Sequence, residues 1–317
     1  MKVYSFGAEN APVILLLPGT CCHWKGNFGT VIPLLADTFQ VLCVSYDGFG
    51  ETESTEFSTM IAEAEKIEAY LQSHCGGHIR AAYGCSLGGS FVGLLAARQN
   101  VQMDYGILDS SDLDQASPLA AKLQTNLLLP LIYPLLRDGQ FKSRFLQKRL
   151  QKRTEEMGNY VKAFMDMLGG PRPYVTKKSC KNQFYSDLVT PLPEQIDVPG
   201  TEIHIFYALK MGEKYRARYQ RHFSHPVIHE QNLQHEELLA CYPEQWAQLV
   251  KSILEGNNEV HWNAHGNLGA VRKIISNAVD GGIGFQRKYR KGDYTKSLAN
   301  YREIIARLPE FERGDRF

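Results

Sequence analysis

The stretch Tyr83-Gly84-Cys85-Ser86-Leu87-Gly88-Gly89 decides how the rest of the chain is organised. Apolar residues at 79, 81 and 82 predict a strand before it, and the segment 90–98 has the character of a helix. A Gly-x-Ser-x-Gly pattern between a strand and a helix presents its serine on a sharp turn, with glycines where side chains would clash. The turn aims the free N–H groups of the helix start at the serine. We therefore predict that Ser86 is a nucleophile and that the Leu87 N–H can receive an oxyanion.

Composition and charge are those of an ordinary globular protein. The 317 residues are 44% hydrophobic and 22% charged, and the net charge at pH 7 is +1. A chain of this length buries one large core, or one core plus a small addition. Because the net charge is so small, we expect neither nucleic acid nor an anionic membrane as a partner.

The cysteines and the apolar segments bear on the compartment. The first six residues lack the apolar core of a signal peptide. The most apolar run, 127–136, is short and contains Pro130 and Pro134, so we expect it not to span a bilayer. The seven cysteines are scattered, odd in number and form no Cys-x-x-Cys pair. This usage predicts a reduced, cytoplasmic protein.

Alternating strand and helix patterns predict an α/β fold with a mostly parallel sheet flanked by helices. The predicted strands are 2–6, 12–17, 39–46, 79–85, 103–109, 201–208 and 226–229. The predicted helices of the core are 28–36, 58–74 with Ser58 as the N-cap, and 243–254. Between 113 and 193 the predicted elements are all helices, over 117–136, 141–157, 160–168 and 177–189.

This distribution divides the chain into three parts. We predict a core formed by 1–112 and 194–256, a helical cap over 113–193, and a helical C-terminal extension over 257–317. A helical insertion between two strands of one sheet is expected to cover the strand ends, where open α/β sheets bind ligands.

A serine hydroxyl needs a base at neutral pH, and His235 is the candidate. It follows the last predicted strand and precedes the last predicted helix, at the sheet edge where the serine is expected. The alternative is a solvated loop histidine. His222, His225 and His229 are close in sequence, but no cysteine joins them and no nearby carboxylate has ligand spacing. We therefore predict neither a metal site nor a cofactor.

The identity of the acid that would orient the histidine is left open between two segments of the sequence. Glu213 lies in the loop after the penultimate predicted strand, and Asp109 and Asp112 follow the strand before it. We favour Glu213, and each of the three could instead be a solvated loop carboxylate or a helix cap. For the oxyanion, Thr20 in the Pro18-Gly19-Thr20 loop is the predicted second N–H donor beside Leu87.

With these residues in hand, the chain resembles the α/β-hydrolase superfamily over about residues 2–255. The elbow 84–88 matches closely, Pro18-Gly19-Thr20 stands where the family usually has a His-Gly pair, and 234–238 resembles its Gly-His-x-Glu-Leu loop. Asp47-Gly48-Phe49-Gly50 resembles its Asp-x-x-Gly loop. The chain departs from the family at Ala208-Leu209-Lys210-Met211, where members usually show Gly-x-x-Asp.

The constellation predicts a serine hydrolase that cleaves an ester or thioester of a small or medium acyl group through an acyl-enzyme on Ser86, without a cofactor. A C–C bond hydrolase or an acyltransferase could use the same residues. The alternative of another class is a non-catalytic ligand-binding or scaffold protein on the same fold. Residues 292–309 resemble part of one tetratricopeptide repeat, and one repeat cannot bury its own face. We therefore expect the C-terminal extension to pack on the hydrolase body, to contact another protein chain, or to be partly disordered.

Overall fold

The computed structural model describes residues 1–52 and 54–256, and in them seven strands form one sheet. In chain order the strands are β1 (Lys2–Phe6), β2 (Val13–Leu17), β3 (Gln40–Ser45), β4 (His78–Cys85), β5 (Gln102–Asp109), β6 (Glu202–Ala208) and β7 (Val227–Gln231). Across the sheet their order is β1-β3-β2-β4-β5-β6-β7. The edge strand β1 runs antiparallel to β3, and the other neighbouring pairs are parallel. The predicted fold class is confirmed.

Helices connect the strands. In chain order they are α1 (Trp24–Phe28), α2 (Ile32–Ala36), α3 (Met60–Cys75), α4 (Leu87–Arg98), α5 (Pro118–Asp138), α6 (Arg144–Met167), α7 (Lys177–Val189), α8 (Glu213–His222), α9 (Glu237–Cys241) and α10 (Pro243–Leu254). Because parallel strands need crossover connections, these helices cover the sheet.

The core lies on both faces of the sheet, which explains why its central strands are continuously apolar. In β4, the ring of Tyr83 packs against Phe28 of α1 and Trp246 of α10, with centroid distances of 6.1 Å and 4.7 Å. Just after β3, Tyr46 stacks on Phe91 of α4 at 4.9 Å. Helix α4 is therefore held close to the sheet directly after the serine turn.

Helices α5, α6 and α7 all lie between β5 and β6, so the predicted helical insertion is present. We call residues 113–193 the cap. Gly158 has non-helical angles (φ 33°, ψ −102°) inside α6, and this break separates the two helical segments that the sequence predicts there. Pro130 and Pro134 lie inside α5 and do not end it.

Helix α5 is, by length and composition, apolar enough to cross a membrane. The sequence predicts this helix over 117–136, and the helix is continuous over 21 residues although Pro130 and Pro134 lie inside it. That it does not span a bilayer stays a prediction. Core helices of soluble proteins pass the same test, but only 28% of the apolar window in α5 is buried. Leucines spaced four apart form an exposed stripe along it: Leu119, Leu123, Leu127 and Leu131.

Two local predictions are corrected. The N-cap of α3 is Thr59 and not Ser58, since the Thr59 Oγ1 accepts a hydrogen bond of 3.2 Å from the Ala62 N–H. The segment after β6 was predicted as a loop, but Glu213 is the first residue of α8. The predicted C-terminal extension, with its repeat-like segment, lies outside the described residues.

Candidate active site

Ser86 sits on the turn between β4 and α4 in a strained backbone conformation. Its φ of 50° and ψ of −116° are unfavourable for a residue with a Cβ atom. Two hydrogen bonds hold the turn: the Ser86 N–H donates to the Asp109 carbonyl at 2.8 Å, and the Ser111 Oγ donates to the Ser86 carbonyl at 2.7 Å. The strain is thus sustained by the loop that follows β5.

The flanking glycines are required by close backbone packing. A Cβ atom on Gly84 would lie 2.0 Å from the carbonyl carbon of Gly88, and one on Gly88 would lie 2.0 Å from the carbonyl oxygen of Leu17. Strand β4, helix α4 and the end of β2 therefore meet closer than any side chain allows. This geometry accounts for the Gly-x-Ser-x-Gly spacing in the sequence.

The two predicted oxyanion donors, the Thr20 and Leu87 N–H groups, have no protein acceptor in the described part of the chain. The neighbours of Thr20 are occupied: the Gly19 N–H donates to the Asn27 Oδ1 at 2.8 Å, and the Cys21 N–H donates to the Gln183 Oε1. Leu87 is the first residue of α4, where N–H groups have no partner within the helix.

His235 lies on the loop after β7, as predicted, and the cap covers it. The Tyr160 hydroxyl of α6 donates to the His235 carbonyl at 3.0 Å, and the Phe164 ring stands edge-on to the imidazole at 6.4 Å. The side chain keeps 34% of its exposure. The next residue, Glu236, donates its N–H to the Ser110 Oγ at 2.8 Å. The histidine loop is therefore anchored at the end of β5, as the serine turn is.

Two carboxylates, one at the end of β5 and one in the loop after it, interact electrostatically with His235. Asp109 is buried and accepts hydrogen bonds from the Tyr83 hydroxyl at 2.6 Å and from the Ser110 Oγ at 2.9 Å. Burial raises the pKa of Asp109 to about 6, while Tyr83 and His235 act to lower it. Burial also raises the pKa of Asp112, against the opposing charge of His235.

Glu213 is placed differently. It is exposed at the start of α8, where a carboxylate favourably complements the positive end of the helix dipole. In residues 1–52 and 54–256, the carboxylate that forms an ion pair with His235 is that of Glu236, at 3.9 Å from Nε2. The structure does not bring Glu213 to His235, and its role as the acid stays a prediction.

Sequence reasoning passed over Glu236, which is buried beside the oxyanion loop. Its Oε1 would lie 3.3 Å from a Cβ atom on Gly19 and has no hydrogen-bond partner in the described part of the chain. Burial raises the pKa of this carboxyl group. Two glutamates follow His235 in sequence, and nothing in the pattern distinguishes the buried one from its neighbour.

Of the three histidines that are close in sequence, His229 stacks on a fourth. His229 contacts His204 through ring nitrogens 2.9 Å apart, and His204 is fully buried, which lowers its pKa to about 4. Among the described residues, no group of three or more His, Cys, Asp or Glu side chains could hold a metal ion.

Comparison with known proteins identifies the family. The sequence model of the alpha/beta hydrolase family matches residues 14–250. The chain belongs to the α/β-hydrolase family. Membership of this family supports the interpretation of the chain as a hydrolase. No curated protein sequence matches the chain.

Solved structures share the fold at low sequence identity. A protein from Desulfitobacterium hafniense that is described as an α/β-hydrolase family protein is 19% identical to this chain, with a TM-score of 0.67. The match covers 80% of this chain and 100% of that protein. A thermophilic esterase from Thermogutta terrifontis is 20% identical with a TM-score of 0.58, covering 80% and 93%. An enol-lactonase from Burkholderia xenovorans LB400 is 17% identical with a TM-score of 0.57, covering 80% and 96%. At these identities the likeness concerns the fold alone.

Proposed function

We propose that this α/β-hydrolase is a serine hydrolase that cleaves a carboxylic ester or thioester through an acyl-enzyme on Ser86, with His235 as general base. The observation that carries the proposal is the strained Ser86 turn, flanked by the unpaired N–H groups of Thr20 and Leu87. Strain of this kind persists only where the surrounding structure imposes it, and it clusters at active sites.

The reaction follows from these groups. The Ser86 Oγ attacks the substrate carbonyl carbon while His235 accepts the hydroxyl proton, and the Thr20 and Leu87 N–H groups stabilise the resulting oxyanion. The tetrahedral intermediate collapses, the bond to the leaving group breaks, and His235 gives its proton to the leaving alcohol or thiol. Water then attacks the acyl-enzyme with His235 as base again, which releases the acid and restores the Ser86 hydroxyl.

A carboxylate near His235 would stabilise the imidazolium formed in each half of the reaction. Asp109 and Asp112 are favoured for this role, because their charges interact with His235. Both lie in the segment that holds the serine turn, which is the end of β5 and the loop after it. The apolar ring of Phe164 beside His235 favours an apolar group next to the scissile bond.

Covalent labelling tests the proposal. The full chain is treated with a fluorophosphonate, and intact mass and fluorescence measure the modification of the wild type, Ser86→Ala and His235→Ala. Ser90→Ala is the matched control, because Ser90 lies one helical turn further along α4. We expect one adduct on the wild type and on the control, and none on the two other variants.

A folded wild-type chain that neither takes the label nor hydrolyses a phenyl acetate would contradict the proposal. That result would favour a non-catalytic binding protein on the same fold. Labelling that survives Ser86→Ala would equally show that the reactive group lies elsewhere.

A further inference from the structure

Arg172, in the cap between α6 and α7, is a buried cation with which no group of the described residues pairs. Its side chain is 3% exposed, and Nε, Nη1 and Nη2 all lack a hydrogen-bond acceptor in the described part of the chain. The backbone at this position is fixed, because the Arg172 N–H donates to the Leu136 carbonyl and its own carbonyl accepts from the Val175 N–H. A guanidinium held out of water with no counter-charge is strongly unfavourable.

The guanidinium lies beside the oxyanion loop. Burial raises the pKa values of the Cys21 and Cys22 thiols and lowers that of His23, and the positive charge of Arg172 acts to lower all three. Burial and these interactions place Arg172 inside the cap, on the side of residues 21–23, and not on its outer surface.

Two further buried donors lie near the oxyanion loop or within the influence of Arg172. Gln183 of α7 is fully buried, and its Oε1 accepts the Cys21 N–H, so its Nε2 is left without an acceptor in the described residues. The Tyr174 hydroxyl is buried and also unpaired there, and the Arg172 charge acts on it. Buried polar groups in folded proteins are normally paired. Here the surplus consists of donors from three neighbouring residues.

The carboxylates of residues 1–52 and 54–256 do not supply the missing acceptor. Glu51 is exposed and influences His23 and Tyr174, and Glu236 influences Cys22. Neither forms an ion pair with Arg172 within residues 1–52 and 54–256. A planar guanidinium offers two parallel N–H groups, which match the two oxygens of a carboxylate.

We propose that Arg172, Gln183 and Tyr174 form a subsite for a free carboxylate of the substrate. The substrate class is then an ester or thioester that carries a second, non-reacting carboxylate, such as the monoester of a dicarboxylic acid. This specificity rests on the proposed serine hydrolase function. The carboxylate site itself rests on the unpaired donors alone.

Paired substrates test the specificity. Hydrolysis of monomethyl succinate, glutarate and adipate by the full chain is compared with that of methyl butanoate, pentanoate and hexanoate. A second pair, 4-acetoxybenzoate and its methyl ester, places the carboxylate on the leaving group. We expect kcat/KM to be higher for the charged member of at least one pair by about 10- to 100-fold, the range for hydrogen bonds to a charged group.

Variants connect the preference to the guanidinium. Arg172→Met is expected to lower kcat/KM of the charged esters by about 10- to 100-fold more than that of the neutral esters, and Arg172→Lys to retain part of the preference, because lysine keeps the charge without the paired N–H groups of the guanidinium. Arg137→Met is the matched control, since Arg137 is an exposed cap arginine at the end of α5. The control should keep the full preference.

Binding gives a readout independent of catalysis. Glutarate should raise the Tm of the Ser86→Ala protein and leave that of Ser86→Ala/Arg172→Met unchanged, while the ligand-free Tm of the double variant stays equal or rises because an unpaired buried charge is gone.

The subsite is overturned if no dicarboxylate shifts the Tm and no charged ester is preferred. It is also overturned if Arg172→Met lowers kcat/KM of charged and neutral esters equally, which indicates a structural role. If glutarate binds through Arg172 but no ester is hydrolysed, the subsite stands and the proposed function fails.

Discussion

The main-chain N–H of Ser86 donates a hydrogen bond of 2.8 Å to the carbonyl oxygen of Asp109, so the serine turn is tied to the end of the neighbouring strand. The loop that carries His235 is tied to the same place, through the Glu236 N–H and the Ser110 Oγ. The end of β5 therefore sets the positions of both the proposed nucleophile and the proposed base. A carboxylate from this loop can orient the histidine without help from α8.

We predict that the acid comes from the end of β5 or the loop directly after it, and that it is not Glu213. At least one of Asp109→Asn and Asp112→Asn should lower kcat for a neutral ester by about 100-fold or more, because removal of the charge from such an acid has a large effect on catalysis. Glu213→Gln should stay within about 2-fold of the wild type. Steady-state kinetics measure the effect, and circular dichroism with Tm shows that each variant is folded.

A loss of activity in the Glu213 variant alone would support the sequence-based assignment of Glu213 as the acid. If Glu213→Gln lost about 100-fold while both aspartate variants kept their kcat, α8 would have to move toward His235 during catalysis. Loss in none of the three would indicate a dyad of serine and histidine.

The strain at Ser86 predicts a gain in stability when it is relieved. Ser86→Gly should raise the free energy of unfolding by about 1–3 kcal/mol, since glycine accepts a φ of 50° with a ψ of −116° at no steric cost. Activity should be lost at the same time. Thermal unfolding checks the gain, with about 2–4 °C expected per kcal/mol for a chain of 150–250 residues. Ser86→Ala keeps the Cβ atom and should show the loss of activity without the gain.

Much of the fold could be predicted because its signals are local. Continuous apolar runs, the glycines at 84 and 88, and the strand-turn-helix order around Ser86 each depend on a short segment. Helix α8 escaped prediction because it is strongly polar, with Tyr215 and Tyr219 as its main apolar residues. Helix α5 could be predicted over 117–136 in spite of its two prolines, although each proline removes a helical hydrogen bond.

The candidate site was harder to predict because it depends on contacts between distant segments. His235 and Ser86 could be chosen from motif and chain order. The choice among carboxylates depends on how the loop after β5 packs under the histidine loop, which spacing does not reveal. The unpaired state of Arg172 is likewise visible only once the cap is placed beside residues 21–23.

Substitution by alanine should have very different effects on stability at two glycines of α4. Gly88→Ala should prevent folding or lower the Tm by more than about 10 °C, because its Cβ atom would meet the Leu17 carbonyl oxygen at 2.0 Å, where backbone cannot yield cheaply. Gly93→Ala is the matched control, since its Cβ atom would meet only side-chain atoms of Phe223 and Leu192 at 3.3–3.5 Å. Alanine also has the higher helix propensity, so the control should stay within about 1 kcal/mol of the wild type.

A well-folded Gly88→Ala protein would show that β2 and α4 can separate. The close approach would then be a consequence of the sequence and not a requirement of the turn. Measurement of the soluble yield and the Tm of both variants decides between the two.

Asp187 of α7 predicts a pH-dependent stability. Burial, reinforced by the charges of Asp112 and Asp114, raises the pKa of Asp187 to about 8, although a hydrogen bond with Ser90 lowers it. The unfolded chain has an aspartate pKa of about 3.9. Between these values the folded state binds the proton more tightly, so the contribution of this group to stability falls as the pH rises from about 4 to about 8.

Asp187→Asn imitates the protonated acid and removes this dependence. We expect the variant and the wild type to have similar Tm values at pH 5, and the variant to be more stable by a few degrees at pH 8 to 9, as measured by thermal unfolding across that range. The exposed Asp37→Asn removes the same charge from the surface and serves as the control. A gain of equal size at pH 5 and pH 9 would mean that the carboxyl is already charged in the folded protein at pH 5. In that case water in the cavity that Ser90 and Asp187 line would solvate the charge.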